Sequence, residues 1–452
     1  MSKSILKNTS LYILGNLFNK AIAFITIPIF TRLLTPSEFG IVNTYISWVS
    51  LIAVIVGLSL GNSIRNAFVE KKNELEEYIS SIFILSGINF IIICIIYYFL
   101  YKEIEIEPIL VWLCLIESFF NFIINSIIIK YMMEEKVIKR TILLVGPNFI
   151  GTILSIILIQ LMIDDKYYGR IIATCITTFL FGVVILLYYI IRYRPSVYKK
   201  YWTYALPISI PLIFHGLACN ILGTSDRTII MYYCGASDTG IYSFIYNFSM
   251  LANVIIASAE SVWIPRFTKY MIEKEYIRIK KEINIYIYIV LGLFCCILLI
   301  APELILYLGG EIYLSGIDMM YPIVISSFVI FIYGIYVNIE FYYKDTKIIA
   351  ISTIIAASIN IILNVFFIPK YGAIAAAYST LFSYLVSFVF HRINAKRLNK
   401  YIISSNINII LPIIAIVIMS IIVFLLNDNI IIRWLLFLGI VIIYYKLRDN
   451  WH

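Results

Sequence analysis

The 452 residues are 62% hydrophobic and only 13% charged, with a formal net charge of +9, well beyond the roughly 45–50% apolar usage of soluble chains. Such a chain takes lipid as its solvent, and fourteen spans of about 20 residues each leave about 170 residues for every loop and tail. A separate soluble catalytic domain is thereby excluded.

Apolar runs broken by charge predict an all-α polytopic membrane protein with about 14 transmembrane helices, at 11–32, 39–63, 79–101, 109–130, 141–163, 169–191, 205–234, 239–264, 283–307, 320–343, 348–368, 372–391, 405–426 and 430–445. Twelve spans is the alternative, because 348–391 forms a tight hairpin through Pro369 to Gly372. The first run holds Lys20 and Pro28 and leads into Arg32 without a small-x-small cleavage site, so it reads as a retained span. The seven cysteines fall in or beside apolar runs without metal spacing and read as packing residues.

With both termini in the cytoplasm, inside segments hold 27 of the 35 Lys and Arg residues, including Arg65, Arg266 and Lys269 to Lys281, while the outside keeps Arg32, Lys102, Lys166, Arg170, Lys370 and Arg433. That asymmetry is the positive-inside rule, so the net charge reports topology and not nucleic-acid binding. Tyrosine pairs at span ends (Tyr97-Tyr98, Tyr188-Tyr189, Tyr232-Tyr233, Tyr342-Tyr343, Tyr444-Tyr445) read as interfacial belts.

Two echoes mark an internal duplication. Arg32 to Ile41 after the first span resembles Met231 to Ile241 after the seventh, offset by 200 at Gly40 and Gly240, and Lys166 to Gly169 resembles Lys370 to Gly372. Six helices per copy is an even number, so the copies are parallel repeats. The expected organisation is a six-helix lobe at 1–195, a second at 196–400, and two additional helices at 401–452. Pro28 in the first copy and Pro207 with Pro211 in the second open the corresponding helices of the two lobes and permit bending there.

Ionised groups inside spans must face protein or a watery cavity, because each costs about 2.5–3.5 kcal/mol at the bilayer centre. Lys20 lies near the middle of the first span beside Asn16 and Asn19; Asp226 and Arg227 lie in the seventh, with His215 and Asn220 deeper; Arg65 and Arg266 mark the inner ends of the second and eighth. Two cations per lobe facing one cavity suit an anionic diphosphate. The plainer readings are topology anchors for Arg65 and Arg266, an ion pair for Arg227, and snorkelling for Lys20. Glu117 reads as a proton or Na⁺ coupling site or a structural hydrogen-bonding group, Glu260 and Glu340 as interfacial, and Glu273 to Lys281 as a solvated loop helix. No nucleotide, zincin or nucleophile-elbow motif is present, and the three histidines (His215, His391, His452) are too scattered for a site, so no catalytic residue, metal or organic cofactor is expected, H⁺ or Na⁺ coupling apart.

The opening Asn8 to Asn16, the Phe30-Thr-Arg-Leu-Leu-Thr-Pro-Ser-Glu-Phe-Gly-Ile41 block, and Asp226-Arg227 followed by Gly240-Ile-Tyr242 resemble the Wzx-type polysaccharide-biosynthesis flippases, whose superfamily includes MATE exporters and MurJ-like lipid II flippases. The resemblance runs to about residue 400. It implies a MATE/MurJ-like fold in a bacterial cytoplasmic membrane and transfer of an undecaprenyl-diphosphate-linked oligosaccharide unit for capsule, O-antigen or exopolysaccharide assembly, alongside a polymerase and glycosyltransferases. It also places the substrate's diphosphate or acidic sugars on Lys20, Arg65, Arg227 and Arg266, with Arg32 toward the outer mouth and Asp226 as a coupling or structural group. Lys20 departs from the arginine found in related lipid II flippases, which weakens bidentate capture there. The alternatives are a MATE-like exporter, which calls for acidic cavity groups, and a membrane-embedded polymerase or acyltransferase, which calls for a large outward loop or an embedded histidine.

Overall fold

The computed structural model describes residues 15, 18, 19, 21, 22, 24–103, 105–193, 199–399, 401, 407–427 and 429–447. Among them there is no strand, as expected where every backbone group must be satisfied within its own segment in lipid. Ten helices are long and apolar enough to cross a membrane, with Phe24–Leu33 and Ile409–Leu425 as shorter apolar helices. Each of the fourteen expected spans overlaps a helical segment among the described residues. The chain divides into two compact units, up to Thr228 and from Ile229.

Unit 1 begins with α1 (Phe24–Leu33) and α2 (Pro36–Val56). Thr35 and Glu38 form a capping box at the start of α2: the Thr35 hydroxyl accepts from the Glu38 N–H at 3.3 Å, and the Glu38 carboxylate accepts from the Thr35 N–H at 2.9 Å. Pro36 sits at the first helical position, where its missing N–H has no partner to lose. The second span is shorter than expected. It stops at Gly57, followed by Leu58 and Ser59 in the left-handed region (φ 48° and 50°), a 3₁₀ turn at Leu60–Ser63, and the short α3 (Ile64–Glu70). A Cβ on Gly57 would lie 2.3 Å from the Phe122 ring, so the turn closes only on glycine.

The remainder of unit 1 is α4 (Leu75–Leu100), α5 (Pro108–Met133), α6 (Val137–Leu161), α7 (Tyr167–Tyr193) and α8 (Lys199–Cys234), the division between units falling inside α8. α5 packs against α2 and α7, and α6 against α7. Gly169 permits the α6–α7 approach, since a Cβ there would lie 2.8 Å from the Ile159 nitrogen. The start of α8 is tied to the α3–α4 region: Lys200 pairs with Glu74 at 3.0 Å, Tyr201 donates to Glu74 at 2.9 Å, and Tyr204 donates to Glu70 at 2.8 Å. α8 continues through Pro207 and Pro211. Between α5 and α6, Glu134 accepts from Lys136 at 2.9 Å and holds its ammonium above the usual lysine range.

Unit 2 contains α9 (Ala236–Phe248), α10 (Met250–Glu273), α11 (Tyr276–Gly309), α12 (Glu311–Leu314), α13 (Ile317–Tyr342), α14 (Thr346–Tyr371), α15 (Ile374–Leu398), α16 (Ile407–Leu425) and α17 (Ile430–Leu447). The eighth expected span is thus two helices meeting at Ser249. Nor is Glu273 to Lys281 a loop helix: left-handed Lys274 (φ 58°) separates the end of α10 from the start of α11, and Arg278 pairs with Glu275 at 3.2 Å and Glu282 at 3.6 Å. α15 packs against α13 and α14, and α16 and α17 pack against α11. Arg433 of α17 is no exposed anchor. Its side chain is 4% exposed, its guanidinium forms two bonds to Glu303 (2.9 and 2.6 Å), and it donates to the Leu299 carbonyl at 2.9 Å. Two of the five tyrosine pairs split: Tyr98 and Tyr188 face outward, whereas Tyr97 and Tyr189 turn into the protein; Tyr232-Tyr233 and Tyr342-Tyr343 are exposed throughout.

Candidate functional site

Unit 1 encloses a chamber of about 610 Å³, lined by α2, α5, α6, α7, α8 and the turn after α2. Helical geometry builds its polar wall. On α5, Glu117, Asn121 and Asn125 recur every four residues and share one face. On α7, Arg170, Thr174, Thr177 and Thr178 follow the same helical spacing. Asn148 comes from α6, Ser50 from α2, Asn220 from α8, and Ser59 and Asn62 from the turn.

The carboxylate of Glu117 is fixed by its neighbours. Buried Tyr45 donates to Oε2 at 2.8 Å, and the Thr174 hydroxyl lies 3.4 Å from the same oxygen. The Arg170 guanidinium lies 4.1 Å from the Phe30 ring centroid and donates to the Ser155 hydroxyl at 3.0 Å. Asn148 donates to Asn19 at 3.0 Å and to the Leu144 carbonyl at 3.2 Å, and Asn220 donates to the Gly216 carbonyl at 2.9 Å. The side chains of Asn62, Asn121 and Asn125 make no hydrogen bond among the described residues.

Of the residues expected to form a site, the structure brings Glu117 into this chamber, and neither Arg32, Arg65 nor Arg227 lines it. Arg32 and Arg65 are exposed, on α1 and α3. Arg227 is buried on α8 beside equally buried Asp226, and its Nη1 donates to the Gly223 carbonyl at 3.4 Å. Arg266 is exposed on α10 of unit 2, and Lys20 lies outside the described residues. Arg170, counted among the outer basic residues at the start of the sixth expected span, and the neutral Asn121 and Asn125 were not among the expected site residues. The detectable signal was their spacing of four from Glu117 within an apolar span.

A second buried polar cluster lies in unit 2, where interfacial exposure was expected for Glu340. Instead Glu340 is fully buried, with its carboxylate 2.7 Å from His391 Nδ1 and 2.9 Å from the Asn394 amide. Asn394 also reaches Asp345 at 3.3 Å, and Arg397 pairs with Asp345 at 2.6 Å. Tyr333 stacks on His391, with ring centroids 5.2 Å apart. Among the described residues no three His, Cys, Asp or Glu side chains gather as metal ligands.

Comparison with known proteins places this architecture. A protein of the Lsg locus of Haemophilus influenzae is 22% identical over 82% of this chain and 95% of its own length. The succinoglycan biosynthesis transport protein ExoT of Rhizobium meliloti is 25% identical over 61% of this chain and 56% of its own. The lipid II flippase MurJ in an inward closed conformation superposes with a TM-score of 0.75 at 16% identity, covering 98% of this chain and all of that one, so the two share a fold. An inward-facing MATE multidrug transporter superposes more loosely, with a TM-score of 0.56 over 86% of the chain. By name, ExoT is a transport protein, MurJ a flippase and the MATE protein a transporter. The polysaccharide biosynthesis protein family matches residues 5–271, more than half of the sequence, and this multi-span membrane chain therefore belongs to that family.

Proposed function

We propose that the protein is a flippase that carries undecaprenyl-diphosphate-linked oligosaccharide units across the bacterial cytoplasmic membrane by alternating access, with both termini cytoplasmic, for capsule, O-antigen or exopolysaccharide assembly. The observation that carries this reading is a polar chamber of about 610 Å³ among the apolar spans of a chain from the polysaccharide biosynthesis family. The fold shared with MurJ and the similarity to a succinoglycan transport protein support it. In this reading Lys20, Arg32, Arg65, Arg227 and Arg266 attract the diphosphate or acidic sugars, Glu117 and Asp226 are buried carboxylates with coupling or structural roles, and no organic cofactor is invoked. Glycosyltransferases would supply the substrate and a polymerase would consume it.

Deletion of the gene in its own cell tests this. The expected result is loss of surface polysaccharide and accumulation of lipid-linked units on the inner leaflet, without new drug sensitivity. Intact surface glycan together with sensitisation to cationic drugs would replace the flippase with an exporter. The double substitution Lys20→Ala, Arg227→Ala is expected to reproduce the deletion, and unchanged glycan in that variant would remove the diphosphate assignment.

A further inference from the structure

We propose that the unit 1 chamber binds uncharged sugar residues, and so receives the glycan of the transported unit and not its diphosphate. The source of that glycan rests on the flippase reading above; the chemistry of the chamber does not. Charge is the first argument. Among the described residues, Glu117 and Arg170 are the only charged residues in the lining, one of each sign. A diphosphate calls for an excess of cations and a lipophilic cation for an excess of carboxylates, and the lining formed by the described residues offers neither.

Hydrogen-bonding capacity is the second. Asn62, Asn121 and Asn125 keep their side-chain amides uncommitted among the described residues. Each amide carries two donors and a carbonyl acceptor, a pattern that complements sugar hydroxyl and acetamido groups, which likewise both donate and accept. Unmatched amides midway along a span as apolar as α5 are costly unless water or a polar ligand meets them. Both protein donors to Glu117 converge on Oε2, leaving Oε1 to accept from a ligand hydroxyl. Asn121 and Asn125 stand one turn apart, about 6 Å along the axis, so one ligand can span both. The volume falls within the roughly 300–1,000 Å³ of small-molecule sites.

The test uses the full chain in lipid nanodiscs and three labelled probes in equilibrium dialysis. These are the repeat-unit oligosaccharide released by mild acid from the producing cell's own surface polysaccharide, undecaprenyl diphosphate without sugar, and tetraphenylphosphonium. The variant Asn121→Leu, Asn125→Leu removes the amides with little change in side-chain size and makes α5 more apolar, and a melting curve by circular dichroism verifies that it folds. The proposal expects the free oligosaccharide to bind the native protein and to bind this variant about tenfold more weakly or worse, with binding of undecaprenyl diphosphate unchanged. Oligosaccharide affinity equal in the folded variant and the native protein, or no oligosaccharide binding to either, overturns it. So does tetraphenylphosphonium binding that the double substitution abolishes. Failure of undecaprenyl diphosphate to bind while the oligosaccharide does would sink the flippase reading and leave the sugar site standing.

Discussion

Glu117 in unit 1 and Glu340 in unit 2 are both buried carboxylates in apolar helices, yet they are used in opposite ways. Glu340 is enclosed by His391 and Asn394 across the α13–α15 contact, so both its oxygens are taken by the protein. Glu117 is anchored on one oxygen and heads a stripe of amides that opens into a chamber. One carboxylate joins helices and the other furnishes a wall. In a membrane protein the distinction lies in whether the neighbouring polar groups bond to one another or are left for a guest.

That contrast can be broken by measuring thermal unfolding in detergent. Glu340→Ala should have the largest effect, about 3–5 kcal/mol, because it strands His391 and Asn394 in the core; by contrast Glu117→Gln, whose amide carbonyl still accepts from Tyr45, should stay within about 1 kcal/mol. Equal losses for the two would erase the distinction. Arg433→Met should cost about 2–3 kcal/mol by releasing Glu303 and the Leu299 carbonyl, and a native melting curve would show that α17 is held by its apolar packing alone. Gly57→Ala, which drives a methyl into the Phe122 ring, should cost about 1–2 kcal/mol. Thr35→Ala removes one half of the capping box and should cost about 1 kcal/mol. Asn121→Leu with Asn125→Leu should cost nothing measurable while lowering surface polysaccharide, and a marked loss of stability would return those amides to a structural role.

Much of the fold was legible in the sequence, because about twenty consecutive apolar residues leave a chain in lipid few alternatives to a helix. What escaped were interruptions set by packing. The stop at Gly57 depends on the Phe122 ring some 65 positions later, and the break at Ser249 lies inside a run without a charged residue. The site was legible through its titratable member alone. Glu117 stood out by charge, whereas Asn121 and Asn125 are neutral and visible only as a spacing. Arg170 counted among the outer basic residues because it sits one turn into α7, yet the α5–α7 contact brings it to the chamber wall. His391 and Glu340 are 51 positions apart, and only the α13–α15 packing makes them a pair. The two echoed glycines likewise differ in what they do, since Gly169 yields room to the Ile159 backbone while Gly372 takes a φ of +72°.

The Thr35–Glu38 box lies within residues 5–271, the stretch that matches the polysaccharide biosynthesis family. The hydroxyl and carboxylate in it are already committed to backbone N–H groups at the first turn of α2. Two chains can therefore share those letters and still handle unlike cargo, because nothing in these bonds constrains a sugar. A redesign of cargo preference would leave that block untouched and rewrite the faces of α5 and α7, where a change of one polar letter alters the wall without disturbing where any helix begins.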